Sequence, residues 1–227
     1  MNRYRHEYKY LLNSSQECVL RLRAFGLLEQ DSHVREDGTY VVRSLYFDDY
    51  EDTCLFENES GTDCRTKFRI RYYNDDSSRI QLEKKSKYRG MTQKEACLLE
   101  EEEYRSLILG HMPQLSEGMP KQKKELLLEM QLRNLLPKVI VTYERVPFIY
   151  PTGNVRVTFD RNISSSFDTE HFLTGVYGER PIFPPGRSIL EVKWDELLPL
   201  HVKEAMEMEL LEWTAFSKYY MCRRYHL

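Results

Sequence analysis

The sequence predicts an α+β fold, a closed antiparallel β-barrel with helices packed outside it and at the C-terminus. Three observations carry this expectation. Strand-like runs rich in β-branched and aromatic residues follow one another through short turn clusters such as Asn74-Asp75-Asp76-Ser77-Ser78. Helical segments are inserted between those runs. Three of the strands also place polar or charged residues at every second position: Arg69 and Arg71; Gln81, Glu83 and Lys85; Arg156, Thr158 and Asp160. Successive side chains of a strand point to opposite faces, so each of these strands has one apolar and one charged side.

Taken in order, the first strand is expected from Tyr4 to Leu12, where Arg5, Glu7 and Lys9 alternate with Tyr8 and Tyr10. Ser14 and Glu17 have capping-box spacing and open a helix that runs to about Phe25 and ends at Gly26. Tyr40 to Phe47 reads as a strand, and Asp48-Asp49 opens a short helical turn through Phe56. The charged strands at about 65–73 and 79–86 come next, then a turn at Gly90 and a strand from Thr92 to Leu98. The acidic run Glu100-Glu101-Glu102-Glu103 suits a helix start, where carboxylates meet the positive end of the dipole. A helix over Lys121 to Asn134 carries the stripe Leu126, Leu127, Met130 and Leu135, with Lys121-Gln122-Lys123-Lys124 on its solvated face. Lys138–Tyr150 and Asn154–Asp160 form a hairpin around Pro151-Thr152-Gly153, and Arg187–Trp194 is the last strand. Two helices, at about 199–211 and 214–224, complete the chain.

Composition limits the function. The chain has 227 residues, no linker-like stretch and no internal repeat, so residues 1–227 are read as a single domain. The 33 Lys and Arg against 36 Asp and Glu give a formal charge of −3, which argues against nucleic acid as a partner because duplex binding rests on phosphate neutralisation. If the basic residues serve an anionic ligand, they must be gathered in one place. The five cysteines (Cys18, Cys54, Cys64, Cys97 and Cys222) include no C-x-x-C pair, and the six histidines have no metal-ligand spacing. No leader-like apolar stretch and no membrane-spanning run is present, so a cytoplasmic, reducing location is expected. On an open sheet the charged strand faces would meet water. Closed into a barrel with the charges inward, they would line a basic tunnel suited to a chain of phosphates.

Seven motifs then occur in order: Arg5-x-Glu7-x-Lys9-Tyr10, Lys67-x-Arg69-x-Arg71, Leu82-Glu83-x-Lys85, Tyr143-x-Arg145, Val155-Arg156-Val157-Thr158-Phe159-Asp160, Leu190-Glu191-Val192-Lys193 and Phe216-Ser217-Lys218-Tyr219. Over nearly its whole length the chain resembles the VTC (vacuolar transporter chaperone) domain, the polyphosphate polymerase branch of the triphosphate tunnel metalloenzymes. The resemblance implies a barrel whose lumen binds a triphosphate or polyphosphate with Mn²⁺ or Mg²⁺. It also implies transfer of the ATP γ-phosphoryl onto a growing polyphosphate chain. Carried over by position, Arg69, Arg71, Lys85 and Arg156 would be catalytic, and Lys9, Lys94, Arg145, Ser217 and Lys218 would bind phosphate. Glu191 would bind the metal. The family polymerase has a further lysine two residues before the serine, where this chain has Ala215, and the Lys85–Lys94 loop is short.

Such residues suit phosphoryl transfer, which depends on in-line positioning and charge neutralisation. Arg offers a planar fork to two oxygens and Lys a point charge. Glu7, Glu83 and Asp160 share the parity of their basic neighbours and are either second metal ligands or partners of the cations. Three activities stay open at this point: a polyphosphate-forming phosphotransferase, a tunnel hydrolase acting on triphosphate or polyphosphate, and a non-catalytic polyphosphate-binding module. Tyrosines and phenylalanines are expected in the barrel exterior and helix packing, and His6 outside.

Overall fold

A computed structural model describes residues 4–225; residues 1–3, the start of the segment searched for a leader, lie outside it with residues 226–227. Ten strands form one antiparallel sheet: β1 (His6–Asn13), β2 (Glu29–Gln30), β3 (Tyr40–Asp48), β4 (Arg65–Tyr73), β5 (Asp76–Tyr88), β6 (Met91–Leu98), β7 (Leu136–Tyr150), β8 (Val155–Ser166), β9 (Arg180–Pro181) and β10 (Arg187–Trp194). The order across the sheet is β1-β10-β8-β7-β3-β4-β5-β6, with β2 added on β7 and β9 on β8. The helices are α1 (Ser14–Leu27), α2 (Thr53–Glu59), α3 (Glu101–Ile108), α4 (Lys121–Leu132), α5 (Leu200–Ala205) and α6 (Lys218–Arg224).

The sheet curls until its edges meet. Arg5, just before β1, and Thr92 on β6 exchange two backbone hydrogen bonds of 2.8 and 3.0 Å. Beyond that bridge the link is made by side chains, with Glu7 of β1 bonded to Lys85 of β5 at 2.6 Å. The closed barrel expected from the sequence is therefore a strongly curled open sheet, its seam held by one bridge and an ion pair.

The two faces of the sheet are covered differently. On the convex side, α3 and α4 lie over Phe47, Phe68, Ile70 and Leu82, while α1 and α5 lie over Leu12, Phe148, Val157 and Leu190. On the concave side, Ser44 stands opposite Arg71, so Val42 and Tyr46 share that face; they pack with Val139, Val141, Tyr219 and Cys222. The C-terminal helix α6 thus enters the hollow of the sheet, bringing Ser217 and Lys218 to the lining. Tyr219 Oη anchors it by donating to the fully buried Asp48, which also accepts the N–H groups of Cys54 and Leu55 at the start of α2.

Other local differences have physical causes. The box that caps α1 sits one residue early: Asn13 Oδ1 accepts from Gln16 N at 2.9 Å and Gln16 Oε1 from Asn13 N at 3.0 Å. The helix then runs through Gly26 to Leu27. Lys123 is not solvated; it is buried against Glu103 at 2.7 Å and ties α4 to α3. The two long C-terminal helices are shorter than expected. Glu207, at φ 50°, turns the chain out of α5, and Ser217 caps α6 by accepting from Tyr220 N. The residues between run as a strap beside β1, with Thr214 N donating to Lys9 O at 2.9 Å. Among the described residues no helix is long and apolar enough to cross a membrane.

Candidate functional site

The hollow left between the concave face, the 213–217 strap and α6 is a cavity of about 1070 Å³, including its open mouth. Ten basic side chains line it (Lys9, Arg65, Lys67, Arg69, Arg71, Lys85, Lys87, Arg145, Lys193 and Lys218) against two carboxylates, Glu7 and Glu191. Strand parity places them there. Lys9 stands opposite Glu191, Arg69 opposite Glu83, and Arg145 opposite Asp160, so adjacent strands present the same charged side. The tyrosines are not all exterior: Tyr46 Oη accepts from Arg69 at 2.6 Å and Tyr143 Oη from Arg71 at 3.2 Å.

The acids hold the cations in position. Glu83 bonds Arg69 at 2.6 Å and Lys94 at 2.6 Å, with Arg71 at 3.7 Å. Asp160 is bidentate to Arg145 at 2.6 and 2.7 Å and also meets Lys218 at 2.6 Å. Glu191 lies 3.0 Å from Lys193, 3.2 Å from Arg145 and 3.8 Å from Lys9. Burial alone would raise these carboxyls, but the surrounding cations reverse the sign. Lys85 and Lys9 hold Glu7 down at about 2, while Lys193 and Lys9 bring Glu191, and Arg69 and Arg71 bring Glu83, well below the carboxylate range. Tyr46 is lowered in the same way, as Arg69 and Arg71 outweigh its burial. Burial with too few counter-charges acts on the amines. Lys85 falls to about 8, its partner Glu7 opposing the drop, and Lys193 is lowered despite Glu191. Lys9, between Glu7 and Glu191, is raised instead.

Eight of the residues singled out from the sequence line this cavity: Lys9, Arg69, Arg71, Lys85, Arg145, Glu191, Ser217 and Lys218. Two do not. Arg156 shares the concave parity but is 42% exposed and held by Asp31 at 2.6 Å. Lys94, on the edge strand, is 49% exposed and spans the rim to Glu83. Ala215, in place of the family's lysine, sits in the lining. Lys67 and Lys193 were passed over although parity marks them, lying two residues from Arg69 and from Glu191. Lys87 extends the alternation of Lys85, and no strand pattern announces the strap. His6 faces outward and stacks on Trp194 at 5.1 Å. Among the described residues no three His, Cys, Asp or Glu side chains gather as a metal-holding group, so Glu191 and Glu7 are the carboxylates offered to a cation in the cavity.

Solved structures that share the fold include two matched over most of their lengths. A candidate adenylate cyclase from Bacillus halodurans is 14% identical over 92% of this chain and 89% of its own, with a TM-score of 0.52. A Hippeastrum protein, named as a candidate adenylyl cyclase with a dominant triphosphatase activity, is 15% identical over 100% of this chain and 97% of its own, with a TM-score of 0.50. At such identities the likeness is one of fold. No curated protein sequence matches the chain. The VTC domain profile matches residues 4–226, nearly the entire length, and the chain belongs to the VTC domain family.

Proposed function

We propose that this protein binds a chain of phosphates in its concave cavity and transfers the γ-phosphoryl group of ATP onto the end of a polyphosphate. The observation that carries this reading is the imbalance of the lining, ten cations to two carboxylates, in a chain whose overall charge is negative. A phosphate chain brings about one negative charge per unit, so several fixed cations must share it. Arg69, Arg71 and Arg145 would grip the transferred group and its neighbours, with Lys9, Lys85 and Lys218 as point charges around them. The attacking oxygen of a terminal phosphate is already ionised, so the residues need to align it and neutralise charge, not remove a proton. A bond forms between that oxygen and the γ-phosphorus as the β–γ bridge breaks, and ADP leaves.

The donor set fits a divalent ion of the Mg²⁺ or Mn²⁺ kind, which needs only one or two carboxylates and takes its other ligands from phosphate and water. Glu191 would hold it, with Glu7 the nearest second carboxylate in the lining. Bound there, the ion would supply further charge neutralisation at the phosphate oxygens. Because lysines and arginines now occupy both carboxylates, ion and phosphate are expected to enter together.

Hydrolysis of the same bond is favoured by two specific observations: Ala215 thins the basic lining, and one protein sharing the fold is described by its triphosphatase activity. Incubation with ATP and Mn²⁺, read both on a polyphosphate gel and as free phosphate, separates the readings. Long chains are expected. Phosphate without chains would make the protein a hydrolase, and binding without either product would leave a binding module. In the same assay Glu191→Gln should abolish metal-dependent turnover while metal-free tripolyphosphate affinity holds or tightens, since a negative charge has left the cavity. Near-normal turnover in that variant would remove Glu191 from the metal role.

A further inference from the structure

Lys67 differs from its ion-paired neighbours in the cavity. Arg69, Arg145, Lys218 and Lys9 each touch a carboxylate, but Lys67 Nζ bonds two neutral oxygens, Asn58 Oδ1 at 2.6 Å and Ser217 Oγ at 2.8 Å. Among the described residues no carboxylate lies within ion-pairing distance of it. Its surroundings offer little compensation. Lys9 on β1, Lys85 on β5 and Arg65 on its own strand repel a charge there; the thiol of Cys54 on α2 and the Tyr219 ring on α6, 5.5 Å away, are the favourable neighbours. Glu7 is engaged by Lys9 and Lys85.

The hydrogen-bond inventory shows what the position is arranged to take. Ser217 Oγ accepts from Lys67 Nζ and from Tyr220 N, which uses both of its lone pairs and leaves its own O–H to donate. An ammonium at Lys67 spends two of its three N–H groups on Asn58 and Ser217 and has one left. With Lys67 protonated, two donors without acceptors lie side by side at the lining of the cavity, and an anionic oxygen satisfies both.

We propose that Lys67, Asn58 and Ser217 form an additional phosphate subsite, on the strap side of the cavity, whose occupation by a phosphate unit is linked to proton uptake. The inference rests on the phosphate-chain reading above. Burial, then the repulsion of Lys9 and Lys85, holds the empty Lys67 amine well below the usual lysine range. A phosphate oxygen supplies the missing counter-charge, so the affinity of the amine for a proton rises as phosphate binds. Linkage makes the effect reciprocal: phosphate raises proton affinity, and lower pH raises phosphate affinity at this subsite.

Calorimetric titration of metal-free protein with long-chain polyphosphate, at one mildly alkaline pH in two buffers of different ionisation heat, measures the protons taken up. The internal units of a long chain do not titrate there, so the protons report on the protein. Lys67→Arg keeps a cation that cannot lose its proton; it should bind within a few-fold of wild type with measurably less proton uptake per site. Lys67→Met should lose the same uptake and bind about tenfold more weakly. Lys85→Arg removes the separate contribution of that residue, so the two are resolved. Equal uptake in wild type and Lys67→Arg, or wild-type affinity in Lys67→Met, would overturn the subsite while leaving the phosphate-chain reading standing. Absence of any polyphosphate binding to wild type would overturn both.

Discussion

The two faces of the curled sheet use the same strands for opposite purposes. On β4, Phe68 and Ile70 are fully buried under α3 and α4, while Lys67, Arg69 and Arg71, one residue away in each case, face the cavity. The convex face is satisfied within the chain: its contacts are apolar and each removes area from water, at roughly 25 cal/mol per Å². The concave face is satisfied only in part. Glu83 and Asp160 neutralise some cations, but Lys67 has no carboxylate, and Lys85 and Lys193 sit where their charge is disfavoured. A sheet can carry such a face because stability is supplied from its other side. The difference teaches that a ligand in the cavity would be coupled to the fold through the concave face alone.

The largest expected effects test that division directly. Phe68→Ala should cost about 3–5 kcal/mol, the range for deleting a buried aromatic ring. Glu83→Gln should cost about 3 kcal/mol, because it strands Arg69, Arg71 and Lys94 without their shared counter-ion. Tripolyphosphate distinguishes the two. It stabilises by mass action, and it should stabilise Glu83→Gln more than wild type, since an added cavity charge strengthens binding, but Phe68→Ala only as much as wild type. Urea unfolding with and without the ligand checks this, and equal ligand stabilisation of both variants would break the comparison.

Most of this division was legible in the sequence, and the exceptions have reasons. Period-2 alternation marks which face a side chain takes, so Arg69, Arg71, Lys85 and Glu191 could be placed before the strands were paired. Alternation says nothing about position along the barrel axis or about local partners. Arg156 has the right parity, yet Asp31, from the loop after β2, claims it at the rim. The expected helices over about 199–211 and 214–224 overrun the strap, because propensity cannot foresee the left-handed Glu207 that turns the chain out of α5 or the Ser217 cap that delays α6. Closure failed for a related reason. Parity orients a strand, but the length of the β1–β6 pairing is set by how the edges meet in space.

A smaller effect sharpens the comparison within the cavity. Arg69→Ala removes a charge-assisted contact and should weaken tripolyphosphate binding by about 1.5–3 kcal/mol, roughly 10- to 150-fold. Arg156→Ala should change it by less than about 1 kcal/mol, the scale of a solvent-exposed, already paired charge. Direct titration of both variants measures the ratio. Losses of similar size would extend the binding surface past the present lining to the rim, and Arg156 would regain the role its motif implies.

The smallest effect is one of pH, and its sign follows from which groups are displaced. Lys85 stands at about 8 in the folded protein against 10.5 for an ordinary lysine, so between these values the unfolded chain binds more protons than the native one. The Lys85 contribution to ligand-free stability should therefore rise with pH from 8, most cleanly up to about 9 where the ordinary thiol begins to ionise, and it is lost as pH falls through 8. Lys67 and Lys193, also lowered, contribute with the same sign. Lys9 is raised, so its stabilisation is already complete below 10.5 and does not oppose the trend. Lys85 is one-third exposed, which screens its share and keeps the slope shallow. Bound polyphosphate would return counter-charge to these amines and flatten their share, whereas the buried thiols of Cys54, Cys97 and Cys222, pushed up from about 9, lower stability as pH rises further, with or without ligand. Urea unfolding across the window, in chelator and with or without polyphosphate, reads the difference. A ligand-free protein that weakens between pH 8 and 9, below the thiol range, would mean that its cavity lysines are already fully paired, and the asymmetry between the faces would be one of composition without energetic consequence.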